Sequence, residues 1–249
     1  MGRQKDANPA DFYPTPPRAA TALRDFWLAN FYEPEFVIDP CAGMGCLLRP
    51  WVNISETKGF EINHEILEAT GDDDKKLTIY EADGLWQMTE GEPWYVFGEF
   101  DELSTLVVVN PPFSNADEWV ATTVQSCLRN KVGCAILLRS QWIDDGNTKG
   151  RGAYRYEQPA TAILRLPWRI RFNGKGADSC TYAWHIWHPT PNALPAPFWP
   201  VAQLERTEAQ KAASSCITPT FWAPVTWNDC DASALGEFWE RAAAVSRGD

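Results

Sequence analysis

The chain has 249 residues, 45% of them hydrophobic, which suits one large α/β domain with its own core. A net charge of −11 argues against broad electrostatic binding to nucleic acid, which needs many lysines and arginines. No apolar run is long enough to span a bilayer and residues 1–6 lack a signal-peptide core, so we expect no membrane partner. The seven cysteines form no CxxC pair and only three histidines are present, which predicts no metal site and a reducing, cytoplasmic location.

The predicted elements alternate between helices and short apolar strands. An extended segment over 12–17 precedes a helix over 18–30, strands over 36–39 and 58–62, a helix over 64–70, strands over 77–83 and 106–109, a helix over 117–129, and strands over 133–138, 162–166 and 182–187. This alternation predicts an α/β fold with a seven-stranded, mostly parallel sheet and helices on both faces.

The composition changes after residue 189 and divides the chain into two parts. Residues 1–189 form the predicted main domain, in which residues 1–17 are an N-terminal segment. Residues 190–249 are a Pro- and Trp-rich extension, with helices predicted over 201–214 and 232–246. We expect this extension to pack on the domain or to contribute to target recognition.

Polar side chains follow four of the predicted strands, and they are Asp39, Glu61, Asp83 and Asn110. Parallel sheets bind ligands at the carboxyl ends of their strands, so these residues are expected at one ligand-binding edge. A glycine turn follows the first of these strands, and Glu61 has the spacing of a carboxylate that binds ribose hydroxyls. With two glycines and no pyrophosphate cradle, S-adenosylmethionine fits better than NAD. Each acid alone could instead cap a helix.

Residues 110–113, Asn-Pro-Pro-Phe, follow an apolar strand and form the most informative stretch of the chain. The two prolines fix the backbone and donate no N–H, so the Asn110 amide is held rigidly beside an aromatic ring. A planar amine there could donate to the amide oxygen and to a carbonyl that precedes a proline. This arrangement would make a neutral exocyclic amine nucleophilic without a titrating base. The simpler alternative is a strand terminus.

These motifs carry a family resemblance. Residues 39–45, Asp-Pro-Cys-Ala-Gly-Met-Gly, resemble the cofactor motif of amino-directed, S-adenosylmethionine-dependent methyltransferases, and residues 110–113 resemble their catalytic motif. Residues 13–16, Tyr-Pro-Thr-Pro, resemble the N-terminal cofactor motif of DNA adenine-N6 methyltransferases, including small phage-encoded ones. The resemblance covers residues 11–190. It implies a Rossmann-like class I methyltransferase fold, S-adenosylmethionine as cofactor, methyl transfer to N6 of a flipped-out adenine in DNA, and a bacterial host cell.

The resemblance also implies residue roles. The implied cofactor-binding residues are Tyr13, Thr15, Pro16, Asp39, Cys41, Gly43, Gly45, Glu61, Asp83 and Asn110. The implied catalytic residues are Asn110, Pro111, Pro112 and Phe113, with the Pro111 carbonyl as second acceptor for the target amine. The implied substrate-binding residues are Phe113 and Phe172, which would cover the base, and Arg169 and Arg171 in a local basic cluster.

Three alternatives remain open at this point. The same catalytic loop resembles that of enzymes acting on RNA adenine-N6 or guanine-N2, and of protein-glutamine N5 methyltransferases, which residues 13–16 disfavour. A non-catalytic binding module is the third. DNA is the expected partner of a monomer or homodimer, although no separate recognition domain fits between the two loops. Four tryptophans are expected in the core rather than as base platforms: Trp142, Trp168, Trp184 and Trp187.

Overall fold

The computed structural model describes residues 11–70, 77–89, 104–142, 158–172, 179–190 and 244–245. Within these ranges the α-helices are α1 (Pro17–Asn30), α2 (His64–Thr70), α3 (Gly84–Thr89) and α4 (Ala116–Arg129), and a 3-10 turn spans Arg49–Trp51. The strands are β1 (Phe36–Asp39), β2 (Glu56–Glu61), β3 (Leu77–Glu81), β4 (Thr105–Val109), β5 (Gly133–Arg139), β6 (Ala162–Arg165) and β7 (Tyr182–Trp187).

The strands form one seven-stranded sheet in the order β3-β2-β1-β4-β5-β7-β6. The neighbours from β3 to β5 pair in parallel. β7 is antiparallel to both β5 and β6, so β6 runs in the same direction as the parallel strands. The α/β class and the seven-stranded, mostly parallel sheet predicted from the sequence are therefore confirmed.

Helices cover both faces of the sheet. All five residues of β4 are buried, as expected for a central strand between two layers. Leu106 and Val108 join the apolar cluster that includes residues of α1, whereas Val107 and Val109 join the cluster that includes residues of α4. The two clusters explain why the strands read as continuous apolar runs rather than as alternating patterns. Of the four tryptophans expected in the core, Trp142, Trp184 and Trp187 are buried, and Trp168 is half-buried.

Two strand boundaries differ from the sequence prediction by two residues, several others differ by one, and one helix is new. β2 begins at Glu56 rather than at residue 58, because Glu56 already pairs with Phe36 although its side chain is polar and exposed. β3 ends at Glu81, so Asp83 lies beyond the strand instead of ending it. The short helix α3 was not predicted. It starts at Gly84, where an added Cβ would lie 1.6 Å from the Pro40 carbonyl oxygen, so only glycine allows this close approach to the end of β1.

Several sequence predictions fall outside the described residues, namely the entry segment 1–10, the helix over 201–214 and nearly all of the extension over 190–249. Of the helix predicted over 232–246, the structure describes Ala244 and Val245, and both are helical. Val245 packs against a small cluster of Phe12, Met44, Cys46 and Ile66. Among the helices that the structure describes, none has the length and apolarity needed to cross a membrane.

Candidate functional site at the carboxyl edge of the sheet

The candidate site lies where the parallel strands end. Asp39 is the last residue of β1, Glu61 is the last residue of β2, and Asn110 directly follows β4. These three strands are neighbours in the sheet, so the structure brings the three side chains to one edge as the sequence predicted. Asp83 lies at the same edge, two residues beyond the end of β3.

The glycine turn after β1 is tied to the end of β2. Gly43 and Gly45 have φ of +53° and +78°, a backbone region that favours glycine. The Gly43 N–H donates to Glu61 Oε2 at 2.9 Å, and the Asn63 N–H donates to Glu61 Oε1 at 2.8 Å. An added Cβ at Gly43 would lie 2.4 Å from the ring of Phe12, so the turn also packs directly against the N-terminal segment.

Asp39 is a buried carboxyl group with 1% of its surface exposed. Its Oδ1 accepts the Cys41 N–H at 3.0 Å. Burial raises the pKa of Asp39 to about 8, and the nearby Glu61 charge adds to that rise. Burial likewise raises the pKa of Glu61. Two carboxyl groups held in this way would ionise more readily beside a cation, so the site favours a positively charged ligand group.

Cys41 joins the glycine turn after β1 to residues 110–113, which we call the catalytic-like loop. Its Sγ–H donates to the Asn110 backbone carbonyl across 3.3 Å. Burial raises the pKa of the Cys41 thiol, and the charges of Asp39 and Glu61 raise it further. The thiol therefore stays protonated and acts as a donor, which connects the ends of β1 and β4.

Residues 11–16, the N-terminal strap, are hydrogen-bonded to the catalytic-like loop and to the residue that follows it. The Asn110 side-chain Nδ2–H donates to the Tyr13 backbone carbonyl at 2.7 Å. The Ser114 N–H donates to Asp11 Oδ2 at 2.9 Å. Asn110 Oδ1 is buried and has no hydrogen-bond partner in the part of the chain that the structure describes. Such an orphaned acceptor is costly unless a donor reaches it.

Phe113 is half-buried and contacts three aromatic rings. Tyr13 stacks on it with centroids 4.6 Å apart and planes at 22°, and Tyr182 lies 6.1 Å away at 29°. Phe172 meets Phe113 edge-on at 5.5 Å and 74°, and it is only 6% exposed. The structure thus brings Phe172 and Phe113 together, but as an aromatic cluster rather than as two walls of an open slot. The face of Phe113 that Tyr13 covers can accept another ring only after the Tyr13 ring moves away.

Thr15, Pro16 and Asp83 are the other residues that were predicted to bind the cofactor. Thr15 is buried, and Pro16 is the N-cap residue of α1. Asp83 Oδ1 accepts the N–H groups of Leu85 at 2.9 Å and Trp86 at 3.2 Å. Asp83 therefore caps the N-terminus of α3, the alternative role considered for it from the sequence.

A basic surface follows β6 at the same edge of the sheet. Arg165, Arg169 and Arg171 are exposed, while the alternating Leu166, Ile170 and Phe172 are buried in the core. The guanidinium of Arg18, in the first turn of α1, lies 4.1 Å from the ring centroid of Trp168. The arginines predicted to bind substrate are therefore displayed beside the aromatic cluster that contains Phe113.

Sequence reasoning did not single out Ile62. This apolar residue directly follows Glu61 and is 68% exposed at the ligand-binding edge. An exposed isoleucine of this kind offers a flat apolar contact to a ring held by the neighbouring acid. Its position directly after a strand-ending acid was the available signal. In the described ranges, no group of three or more His, Cys, Asp or Glu side chains is arranged to hold a metal ion.

Comparisons with known proteins identify no family. No family model and no curated protein match the chain. Among solved structures, the backbone is similar to a type I restriction-modification methyltransferase subunit from Streptococcus thermophilus, with 18% identity, a TM-score of 0.49 and coverage of 74% of this chain and 46% of that chain. The backbone is also similar to a putative RNA methyltransferase from Pyrococcus horikoshii, with 16% identity, a TM-score of 0.48 and coverage of 71% of this chain and 86% of that chain. For spermidine synthase from Thermotoga maritima, the identity is 14%, the TM-score is 0.49, and the match covers 71% of this chain and 62% of that chain.

These values limit what the comparisons say about the chain. The chain spans less than half the length of the restriction-modification subunit. Identities below 25% extend to the fold alone.

The buried Asp39 predicts how stability changes with pH. With a folded pKa of about 8 against an ordinary 3.8, Asp39 holds a proton in the folded state that the unfolded chain releases between these values. The free energy of unfolding therefore falls as the pH rises through this window. The Asp39→Asn variant has no carboxyl group to ionise, so its free energy of unfolding does not fall for this reason. The free energy of unfolding of Asp39→Asn minus that of the wild type should therefore grow by a few kcal/mol between about pH 5.5 and about pH 8.5, at about 1.4 kcal/mol per pKa unit.

Urea unfolding of both proteins at the two pH values measures this difference. Glu33→Gln, which alters an exposed acid, is the matched control and should show a difference that changes little with pH. A difference between Asp39→Asn and the wild type that is flat, or that shrinks as the pH rises, would contradict the account.

Proposed function

We propose that this chain is an S-adenosylmethionine-dependent methyltransferase that methylates the exocyclic N6 amine of adenine in DNA. The observation that carries the proposal is Asn110 Oδ1, a buried acceptor that lacks a partner among the described residues and lies at the ligand-binding edge. An acceptor-only group in this position suits a substrate that offers N–H. The acids at the ends of β1 and β2 supply the neighbouring cofactor chemistry.

The residues at the edge fit the methionine end of S-adenosylmethionine. Asp39 is a buried carboxyl whose raised pKa would return toward normal beside an ammonium group, so this acid is suited to the methionine amine. The turn with Gly43 and Gly45 lets the backbone approach the cofactor closely. Thr15 and Pro16 at the start of α1 would lie against the methionine carboxylate, where the positive end of the helix favours an anion.

The other end of the edge fits a nucleoside. Glu61 presents two carboxylate oxygens, each of which now accepts one backbone N–H and has room for a ribose hydroxyl as a second donor. Exposed Ile62 would cover one face of the adenine ring of the cofactor. Asp83 would accept from the adenine amine through Oδ2, because Oδ1 is used to cap α3.

The transfer itself requires positioning rather than a titrating base. When bound, the cofactor supplies an electrophilic methyl group on a sulfonium. Asn110 Oδ1 and the Pro111 carbonyl would accept the two N–H groups of the target amine, and this favours a lone pair directed out of the ring plane. The target nitrogen would take this methyl group while sulfur keeps the electron pair of the broken bond, and Asn110 Oδ1 and the Pro111 carbonyl would hold the amine until one of its protons passes to solvent. Such alignment accounts for much of the rate in reactions of this kind.

A base in a DNA duplex must leave the stack to reach Asn110, at a cost of a few kcal/mol. Stacking on Phe113 would offset about 1–3 kcal/mol of this cost, after the Tyr13 ring has moved aside. Exposed Arg169 and Arg171 would bind backbone phosphates next to the extruded base. A local basic surface is needed here because the chain as a whole carries a net charge of −11.

The proposal predicts a defined product and a defined loss. The wild type, incubated with methyl-labelled S-adenosylmethionine and with single- or double-stranded DNA, should give N6-methyladenine after digestion to nucleosides. Asn110→Ala should reduce the rate about 10²–10³-fold, as for loss of one preorganised polar group in a transition state, and should weaken cofactor binding by a much smaller factor.

Asn130→Ala is the matched control, because Asn130 lies at the end of α4, away from the carboxyl edge, and should keep full activity. Label in RNA nucleosides but not in DNA would move the activity to the RNA alternative. No labelled nucleoside from any DNA or RNA would refute the proposed function.

The arginines predict a change in binding rather than in chemistry. The double variant Arg169→Glu with Arg171→Glu should raise KM for DNA at least about tenfold, leave kcat at saturating DNA within about twofold, and lower the salt dependence of binding by about two counterions. KM measured at several salt concentrations tests this. The double variant Arg129→Glu with Lys131→Glu, at the exposed end of α4, is the charge-matched control. An equal rise of KM in both variants would show that only net charge matters.

A further inference from the structure

The orientation of the Asn110 amide is determined by the N-terminal strap. A backbone carbonyl can only accept, so the Tyr13 carbonyl at 2.7 Å selects the Nδ2 end of the side chain. The opposite end, Oδ1, is therefore directed away from Tyr13. If the amide turned over, two acceptors would face each other and the hydrogen bond would be lost. The free end of the Asn110 side chain is thus an acceptor because of a contact made by Tyr13.

The Tyr13 carbonyl is itself held from several sides. Pro14 follows Tyr13 and restricts it to extended backbone conformations. Phe12 packs on the glycine turn at Gly43, and Asp11 accepts the Ser114 N–H just beyond the catalytic-like loop. The strap therefore contacts both loops of the site, and the direction of the carbonyl is fixed by their packing.

We propose that Tyr13 is a positioning residue. Its backbone carbonyl holds the Asn110 amide so that Oδ1 faces the place of the target amine and can accept an N–H from it. This inference rests on the proposed function for its kinetic consequence. Its geometric content, a side-chain amide held by the strap, holds for the protein whether or not it transfers methyl groups. The role belongs to the main chain of Tyr13, so the Tyr13 ring can leave Phe113 without releasing Asn110.

The variant Asn110→Asp tests whether the Tyr13 carbonyl orients the side chain of residue 110, because it keeps an oxygen that can accept hydrogen bonds but removes the Nδ2–H groups. At neutral pH the carboxylate would place an oxygen against the Tyr13 carbonyl, and one of the two must move. The contact with the Tyr13 carbonyl disfavours the charged form and raises the pKa of this carboxyl, so it takes up a proton as the pH falls. The protonated carboxyl can then donate its O–H to the Tyr13 carbonyl and leave its own carbonyl oxygen toward the target amine, as the amide does. Activity of the variant relative to the wild type should therefore be at least about tenfold reduced at about pH 8 and should rise several-fold at about pH 6.

Other ionisable groups near residue 110 are shared by both proteins, so the ratio of the two activities isolates the substitution. They are Cys41, Asp39 and Glu61 from the ends of β1 and β2, Asp11 and the Tyr13 phenol from the strap, and Tyr182 from β7. Asn130→Asp makes the same substitution at the end of α4, away from the carboxyl edge, and its activity relative to the wild type should stay constant with pH. An Asn110→Asp variant with wild-type activity and profile would overturn the proposal, as would a ratio that stays constant with pH.

A second measurement uses the wild-type protein without turnover. After selective ¹⁵N labelling of asparagine, the Asn110 side-chain signal is identified by its loss in Asn110→Ala. We expect its amide protons to exchange with solvent much more slowly than those of surface asparagines, because Nδ2 is bound to Tyr13. Exchange at the surface rate would overturn the inference. If the wild type shows slow exchange but transfers no methyl group to any nucleic acid, the positioning contact stands and the proposed function fails.

Discussion

The parallel pairing of β1 with β4 is the constraint on which the rest of the site depends. Phe36, Val37 and Ile38 pair with Thr105, Leu106 and Val107, and this register makes both strands end at the same edge. The pairing brings Asp39 and Asn110 together although β2 and β3 lie between them in the chain. The bond from Cys41 Sγ to the Asn110 carbonyl then closes the gap between the two loops. Because Val37, Ile38 and all of β4 are buried, the edge is built on a close-packed part of the sheet.

The edge carries chemical groups that are unfavourable for folding alone. Asp39 is fully enclosed, Glu61 has a raised pKa, and Asn110 Oδ1 has no partner among the described residues. Each would gain from one part of the proposed reaction: an ammonium beside Asp39, ribose hydroxyls at Glu61 and an amine at Asn110. Functional sites commonly retain such costs because the groups act only when ligands are bound. The strap adds to this arrangement by holding the amide that the reaction would use.

Much of the fold could be predicted from the sequence because apolar runs and helix periodicity are local signals. The strands β1, β4, β5 and β7 and the helices α1 and α4 follow directly from such runs. The early start of β2 was hidden by the polar residues Glu56, Thr57 and Lys58, since pairing to β1 rather than side-chain burial determines it. Helix α3 has six residues and too little periodicity to be recognised, and its capping residue Asp83 was assigned to the strand before it.

The site was predictable only in part, for a different reason. Side chains that end parallel strands can be placed from strand order alone, and Asp39, Glu61 and Asn110 follow this rule. Contacts between distant segments cannot be read in this way. The bond from Asn110 to Tyr13 joins residues 97 positions apart, and the stacking of Tyr13 on Phe113 has no signal in the sequence. The expected slot between Phe113 and Phe172 likewise depends on ring orientation, which only the structure gives.

The central claim is that the carboxyl edge binds cofactor and target amine side by side. A crystal structure of the protein with S-adenosylhomocysteine and an adenine-containing DNA oligonucleotide tests it most directly. The account predicts the homocysteine amine beside Asp39, the ribose at Glu61 and an extruded adenine whose N6 lies about 3 Å from Asn110 Oδ1. A cofactor bound at the edge with Asn110 Oδ1 facing anything other than a planar amine would contradict it.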